Sequence, residues 1–137
     1  MKAIQPYLFF NGNCREAMQF YAQALGAKVD MMTYGQQPNC AEADKDRVMH
    51  ANISAPDGSA VMASDAPAAK PIPEGGNFNI SIACDSAEEQ DRIFNALSEG
   101  GHVHQPLQNT FWGARFGMLR DKFGVGWMLS HHSRPQA

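Results

Sequence analysis

The amino-acid sequence predicts an α+β fold: two tandem βαβββ modules form a cup-shaped mixed sheet around a cavity, with the helices on the outer face. The first observation is that the order strand, helix and three strands occurs twice along the 137 residues. The second is a repeat at an offset of 74 (94 − 20), which matches Phe20, Ala22, Gly26 and Val29 to Phe94, Ala96, Gly100 and Val103. The third is a hairpin repeat at an offset of 66 (124 − 58), which matches Gly58 and Met62 to Gly124 and Met128.

The first module, about residues 1–66, begins with a strand-like segment at 3–10 and a helix at 13–26. Asn13 is a candidate N-cap, and Gly26 can take the left-handed conformation that ends a helix. The rest of the module is predicted to contain three strands, at 27–35, 47–55 and 59–65. The last two strands are joined by a hairpin turn at 56–58. A Pro- and Ala-rich linker follows at about 67–76.

The second module, about residues 77–132, repeats this order with fewer residues between its helix and its final hairpin. Ser86 is predicted to cap the helix, and Trp127 to face the helix layer as part of the core. Asp121 and Gly124 suit the turn of the last hairpin. The helix is expected at 86–101, and the four strands at 77–85, 102–109, 114–121 and 125–131.

Each module has one sheet face covered by its helix and a second face, here called the open face, left bare. Two copies related by a pseudo-twofold axis can bring their open faces together around a cavity, so residues 1–137 are predicted to form a single domain. The terminal strands are then free to pair within one chain or across two chains. We therefore expect a homodimer.

Composition narrows the function classes. A net charge of −3 and a pI near 5.9 provide no basic surface for nucleic acid or an anionic membrane. No apolar run reaches the roughly 20 residues of a membrane span, and no signal-peptide cleavage site is evident. Cys14, Cys40 and Cys84 are odd in number and lack CxxC spacing, which favours a reduced, cytoplasmic protein.

Several segments carry a family resemblance. The paired modules and the segment FYAQALGAKV resemble the vicinal oxygen chelate superfamily of glyoxalase I, bleomycin-resistance proteins and extradiol dioxygenases. Four segments resemble the PhnB-like branch of this superfamily: PYLFFNGNCREAMQFY, VMHANI, VMASDAP and above all TFWGARFGMLRDKFGVGWM. The resemblance implies a protein that binds a small organic molecule, or a metal-independent enzyme acting on one. The alternative is a metal-dependent lyase or dioxygenase of the glyoxalase type.

The resemblance also implies where a metal would bind. Enzymes of the superfamily usually hold a divalent metal with one His, Glu or Gln from each of four strands. The corresponding positions in this sequence are Gln5, Met62, Asn79 and Met128. Neutral thioethers and carboxamides are poor ligands for a hard or borderline dication, so we predict neither a metal nor another cofactor.

The resemblance and the strand alternation together give a predicted cavity lining. Val48, His50 and Asn52 share one strand face opposite an apolar set, and such a polar row either meets solvent or lines a cavity. In a cavity, His50 could transfer protons. The methionines suit an apolar or aromatic ligand, or are plain core. The predicted ligand-binding residues are Tyr7, His50, Met62, Ser64, Asn79, Trp112, Arg115, Phe116 and Met128.

The aromatic loop before the final hairpin allows two interpretations. Trp112, Arg115 and Phe116 could clamp a ligand, with the guanidinium pairing an anionic group and the indole stacking on a flat one. Alternatively, the two aromatic rings close the end of the sheet and Arg115 makes a structural ion pair at a subunit interface.

Four further positions also have alternative roles. His102 and His104 lie two apart and could both bind a metal, or they are simply exposed on an edge strand. Cys14 lies at a helix start, where the dipole can lower a thiol pKa, but without a recognisable base we interpret it as structural. Asp65 either reaches the cavity mouth beside Ser64 or caps a loop.

Overall fold

The computed structural model describes residues 5–73 and 78–132, and the chain divides into two compact units, Met1–Pro73 and Glu74–Ala137. Each unit contains one βαβββ module, which confirms the predicted α+β class and the two tandem modules. Residues 3, 4 and 77 of the predicted strands, and 74–76 of the predicted linker, lie outside the described residues. No helix in the described part of the chain is long and apolar enough to cross a membrane.

The first module is a four-stranded mixed sheet with one helix. Its strand order is β1-β4-β3-β2, in which β1 and β4 are parallel and the other neighbours antiparallel. The helix α1 packs against β2, β3 and β4. The elements are β1 (Tyr7–Phe10), α1 (Cys14–Leu25), β2 (Lys28–Thr33), β3 (Val48–Ser54) and β4 (Ala60–Asp65).

The second module has the same topology, with strand order β5-β8-β7-β6 and a parallel β5–β8 pair. The helix α2 packs against β7 and β8, where Trp127 and Leu129 are buried, as predicted for Trp127. The elements are β5 (Ile80–Ala83), α2 (Ala87–Ser98), β6 (His102–Asn109), β7 (Ala114–Arg120) and β8 (Gly126–His132).

Helix α1 ends as predicted but begins differently. Gly26 adopts φ 65° and ψ 36°, the left-handed conformation that a glycine accepts without steric cost. Asn13 occupies the N-cap position, yet its side chain makes no capping hydrogen bond, so the predicted mechanism is wrong. In α2 the predicted cap is confirmed, because Ser86 Oγ accepts a hydrogen bond from Glu89 N at 3.0 Å.

The strand register confirms the internal repeat. Tyr7 lies opposite Met62 in the first parallel pair, and Ser81 lies opposite Met128 in the second. Met62 also faces Asn52 across the antiparallel pair, as Met128 faces Met118. These partners correspond at the offsets of 74 and 66 read from the sequence, so equivalent side chains occupy equivalent sheet positions in both modules.

Candidate functional site

Alternation along the first sheet separates a buried face from an open one. In β1, Leu8 and Phe10 are buried beneath the helix, whereas Tyr7 and Phe9 are exposed on the opposite face. The same open face carries polar side chains of β3 and a methionine of β4. Together with the β3–β4 hairpin they form a groove of about 470 Å³, lined by Gln5, His50, Asn52, Ser54, Ala55, Gly58, Ser59, Ala60 and Met62.

Tyr7 and His50 meet at this groove. Tyr7 Oη lies 3.2 Å from His50 Nδ1, and the two ring centroids are 5.8 Å apart. The ring of Tyr7 also contacts Phe9, with centroids separated by 5.1 Å. Because β4 lies between β1 and β3 in the sheet, the tyrosine side chain reaches across it to the histidine. The structure thus brings together three of the predicted ligand-binding residues of this module: Tyr7, His50 and Met62.

Asp65 has a structural role in this module. Its side chain is buried, and Oδ1 accepts hydrogen bonds from Gly12 N at 2.8 Å and Cys14 N at 3.0 Å. Its Oδ2 accepts a third from Val48 N at 2.9 Å. The structure therefore favours the capping alternative for Asp65, and this carboxylate replaces the cap expected of Asn13. Ser64, next to it, is also buried.

The thiol of Cys14 is fully buried at the helix start. Burial, together with the nearby charge of Asp65, raises its pKa from 9.0 to about 12. The lowering that a helix dipole could cause does not occur, because desolvation disfavours the thiolate more strongly. This agrees with the structural interpretation of Cys14.

The open face of the second module is defined by the same alternation. Phe116, Met118 and Met128 lie on this face, opposite the buried Leu119 and Trp127. Asn79 precedes β5, and its side-chain Oδ1 packs against Gly126, where a Cβ atom would clash with it. This glycine therefore makes room for one of the predicted site residues.

The aromatic loop of this module is exposed. Phe111 is 98% exposed and Trp112 is 50% exposed, with ring centroids 5.1 Å apart. Trp112 also meets Phe116 at 5.9 Å in an edge-to-face arrangement. The two rings predicted to act together are therefore in contact within the module.

Arg115 lies on the helix side of the second sheet. Its Nη2 forms an ion pair with Asp91 Oδ1 at 2.7 Å, and its Nη1 donates to Gln90 Oε1 at 3.3 Å and Ala87 O at 3.4 Å. All three partners belong to α2. Of the two interpretations of Arg115, the structure favours the structural one, with the correction that the ion pair lies within the module.

Gln90 was not identified from the sequence as an important residue. It is fully buried, and Nε2 donates to Arg115 O at 2.8 Å and Leu129 O at 3.1 Å. One carboxamide therefore links α2 to both β7 and β8. A glutamine at a position that faces the sheet in the helical period is the signal that could have revealed it.

The residues do not suit a metal. Among the described residues, no three or more His, Cys, Asp or Glu side chains cluster in a way that could hold an ion. His102 and His104 lie on the edge strand β6, both exposed, with ring centroids 4.8 Å apart. The four positions implied by the superfamily provide only carboxamide and thioether groups, at Gln5, Met62, Asn79 and Met128.

The β1–α1 turn does not suit a nucleotide-like cofactor either. S-adenosylmethionine and dinucleotide sites commonly use a glycine-rich turn whose free N–H groups bind the ligand at a helix start. Here the N–H groups of Gly12 and Cys14 are already donated to Asp65. The corresponding β5–α2 turn, residues 84–86, contains no glycine.

Comparison with known proteins places the chain in a family. Residues 2–130 match the family model described as 3-demethylubiquinone-9 3-methyltransferase. Protein YjdN of Escherichia coli K12 is 34% identical over 140 residues, covering 93% of each chain.

Three solved structures are similar to this chain. Protein PA1353 from Pseudomonas aeruginosa is 46% identical, with a TM-score of 0.85 over 95% of this chain and 98% of that one. A putative 3-demethylubiquinone-9 3-methyltransferase, PhnB protein, from Bacillus cereus is 26% identical, with a TM-score of 0.74 over 93% and 98%. A glyoxylase/bleomycin resistance protein/dioxygenase domain from Frankia sp. EAN1pec shares the fold, at 11% identity and a TM-score of 0.70 over 99% and 96%. The chain therefore shares the fold of that domain and belongs to the PhnB-like family described as 3-demethylubiquinone-9 3-methyltransferase.

Proposed function

We propose that this protein binds a small organic molecule on the open face of its first sheet, as a binding protein or a metal-independent enzyme. The observation that carries the proposal is the groove beside the Tyr7–His50 pair. Its volume of about 470 Å³ is in the range of small-molecule sites, and polar side chains converge on it around Met62. In an enzyme of this kind, His50 is the group suited to proton transfer.

We further propose that the open face of the second module is itself a ligand-contacting surface. The candidates are Asn79, Phe116 and Met128, with Trp112 on the adjoining loop. An aromatic and thioether surface of this kind suits an apolar or aromatic ligand. Arg115 is left out of this set because its guanidinium is bound to α2.

A thermal-shift screen of uncharged and charged small molecules tests the proposal. We expect hits whose stabilisation is lost in His50→Ala and in Asn52→Ala but kept in Gln19→Ala, which changes an exposed residue of α1. Hits that stabilise all three variants equally would contradict a site in this groove.

Metal analysis separates the proposal from a metal-dependent lyase or dioxygenase. Because Gln5, Met62, Asn79 and Met128 provide no anionic ligand or imidazole, we expect protein purified without chelator to contain substoichiometric zinc, nickel, manganese and iron. One tightly bound ion per chain, located at these four residues by anomalous scattering, would contradict the proposal and favour the alternative.

A further inference from the structure

We infer that the groove selects an uncharged ligand carrying a hydrogen-bond acceptor, because Tyr7 holds His50 in the tautomer whose Nε2–H donates. The inference rests on the proposed function and specifies the class of ligand. Two features carry it: the charge of the groove lining and the geometry of the Tyr7–His50 pair.

The lining provides no counter-charge. None of the nine lining residues is Lys, Arg, Asp or Glu. Three charged side chains flank the groove: Lys28 and Asp30 of the edge strand β2, opposite Ser54 and Asn52 in register, and Asp57 in the hairpin turn, whose Oδ1 accepts a hydrogen bond from Ser59 N. Lys28 and Asp30 have opposite signs and lie two residues apart on one face, so they offset each other, while the Asp57 carboxylate is exposed to solvent, which weakens its interaction with a ligand. An ionic ligand would therefore lose water in the groove without gaining an ion pair, which is unfavourable.

The hydrogen bond between Tyr7 and His50 determines which polar group the groove presents to a ligand in place of an ion pair. The contact joins Tyr7 Oη to Nδ1 of the imidazole at 3.2 Å. A phenolic O–H is a stronger acid than a neutral imidazole N–H, so the tyrosine donates and Nδ1 accepts. The ring proton then resides on Nε2, which makes no hydrogen bond within the described part of the chain. This N–H is available to a ligand acceptor.

The remaining contacts define the rest of the ligand. Gln5, Asn52 and Ser54 add neutral donors and acceptors, and the Met62 thioether adds a polarizable apolar surface. The ligand class that fits is an aromatic or apolar body carrying an uncharged carbonyl or amide group.

The tautomer is testable without any ligand. In ¹⁵N NMR at pH 8, where an ordinary imidazole is neutral, we expect the Nε2–H form of His50 to dominate in the wild-type protein. In Tyr7→Phe, which keeps the ring but removes the hydroxyl, the two tautomers should become more equally populated. A dominant Nδ1–H form in the wild-type protein would overturn the inference.

Ligand selection is testable with three probes that share one ring: benzamide, benzoate and benzylamine. Titrated at pH 8 and followed by backbone amide shifts of the groove, benzamide should bind about tenfold more tightly than either ion. His50→Ala should weaken benzamide about fivefold, the scale of one neutral hydrogen bond, and Gln19→Ala should not.

The outcomes distinguish this inference from the proposed function. Equal or tighter binding of benzoate or benzylamine in the groove would overturn the ligand class while leaving a small-molecule site in place. Failure of all three probes to shift groove amides would also overturn it. If the thermal-shift screen yields no groove ligand as well, the proposed function fails with it.

Discussion

At the scale of the residue, Arg115 shows why a conspicuous side chain need not belong to a binding site. Both interpretations were open in the sequence because the arginine lies between two aromatic residues. The alternation of β7 separates them, since Arg115 shares a face with the buried Leu119 and lies two strand positions from Gly117. Counting back from Leu119 would have placed it beside the helix.

Replacing Arg115 should therefore affect stability. We expect Arg115→Ala to lower the free energy of unfolding by about 1 kcal/mol, because the ion pair with Asp91 is partly exposed and solvent weakens it. Urea denaturation measures this, with Arg15→Ala as the control at an exposed position of α1. Unchanged unfolding combined with weaker ligand binding would instead assign Arg115 to the site.

Cysteine reactivity gives a second residue-scale prediction. Burial raises the pKa of Cys14 to about 12 and that of Cys84 to about 11, so both are thiols at pH 8. We expect iodoacetamide to modify half-buried Cys40 and to spare the other two, as read by peptide mass spectrometry. In urea all three should react. Labelling of Cys14 as fast as Cys40 in the native protein would show that its burial is wrong.

The raised pKa values of these thiols also make the stability of the folded protein depend on pH. A thiol whose pKa rises on folding stabilises the native state below its unfolded value, near 9.0. That contribution is lost as the pH rises from about 9 towards 12, because the unfolded chain releases its proton first.

At the scale of the element, the two helices are attached to their sheets by different chemistry. Asp65 accepts three backbone N–H groups and so joins the start of α1 to the start of β3. Gln90 performs the corresponding attachment of α2 through two strand carbonyl groups. Sequence periodicity predicted both helices but neither attachment, because each depends on partners 17 to 53 positions away along the chain.

Asp65→Ala should strongly destabilise the first module. Three N–H groups would lose a charged acceptor, two of these bonds being buried, so we expect a loss of about 3–5 kcal/mol. Chemical denaturation followed by circular dichroism measures it, with Asp46→Ala as the control at an exposed aspartate. Equal effects of the two substitutions would remove the capping role of Asp65.

At the scale of the whole molecule, the sequence predicted the element order and the repeat, because hydrophobic period and turn residues are local signals. The family resemblance together with strand alternation also predicted Tyr7, His50 and Met62 as ligand-binding residues, and these three side chains lie close together in the first module. The hydrogen bond between Tyr7 and His50 could not be predicted, because it depends on the order β1-β4-β3 in the sheet.

We predict that the protein is a homodimer. Large apolar side chains remain exposed in both modules, including Phe9 at 58%, Phe78 at 55% and Phe111 at 98%. Surfaces of this kind commonly pair with a second copy. Light scattering at micromolar concentration should give a mass of about twice the 15.0 kDa chain. A mass of one chain at micromolar concentration would contradict the prediction.

The shared strand register also constrains how the two copies have diverged in length. One residue inserted within a strand would turn every later side chain of that strand to the opposite face, so such an insertion would disrupt the sheet of either module. The eight-residue difference between the offsets of 74 and 66 lies outside the strands, chiefly in the segment of residues 36–46 between β2 and β3. Added residues there do not change which face of the sheet a strand side chain occupies. That segment is consequently the place where a peptide tag can be inserted while both sheets keep their registers.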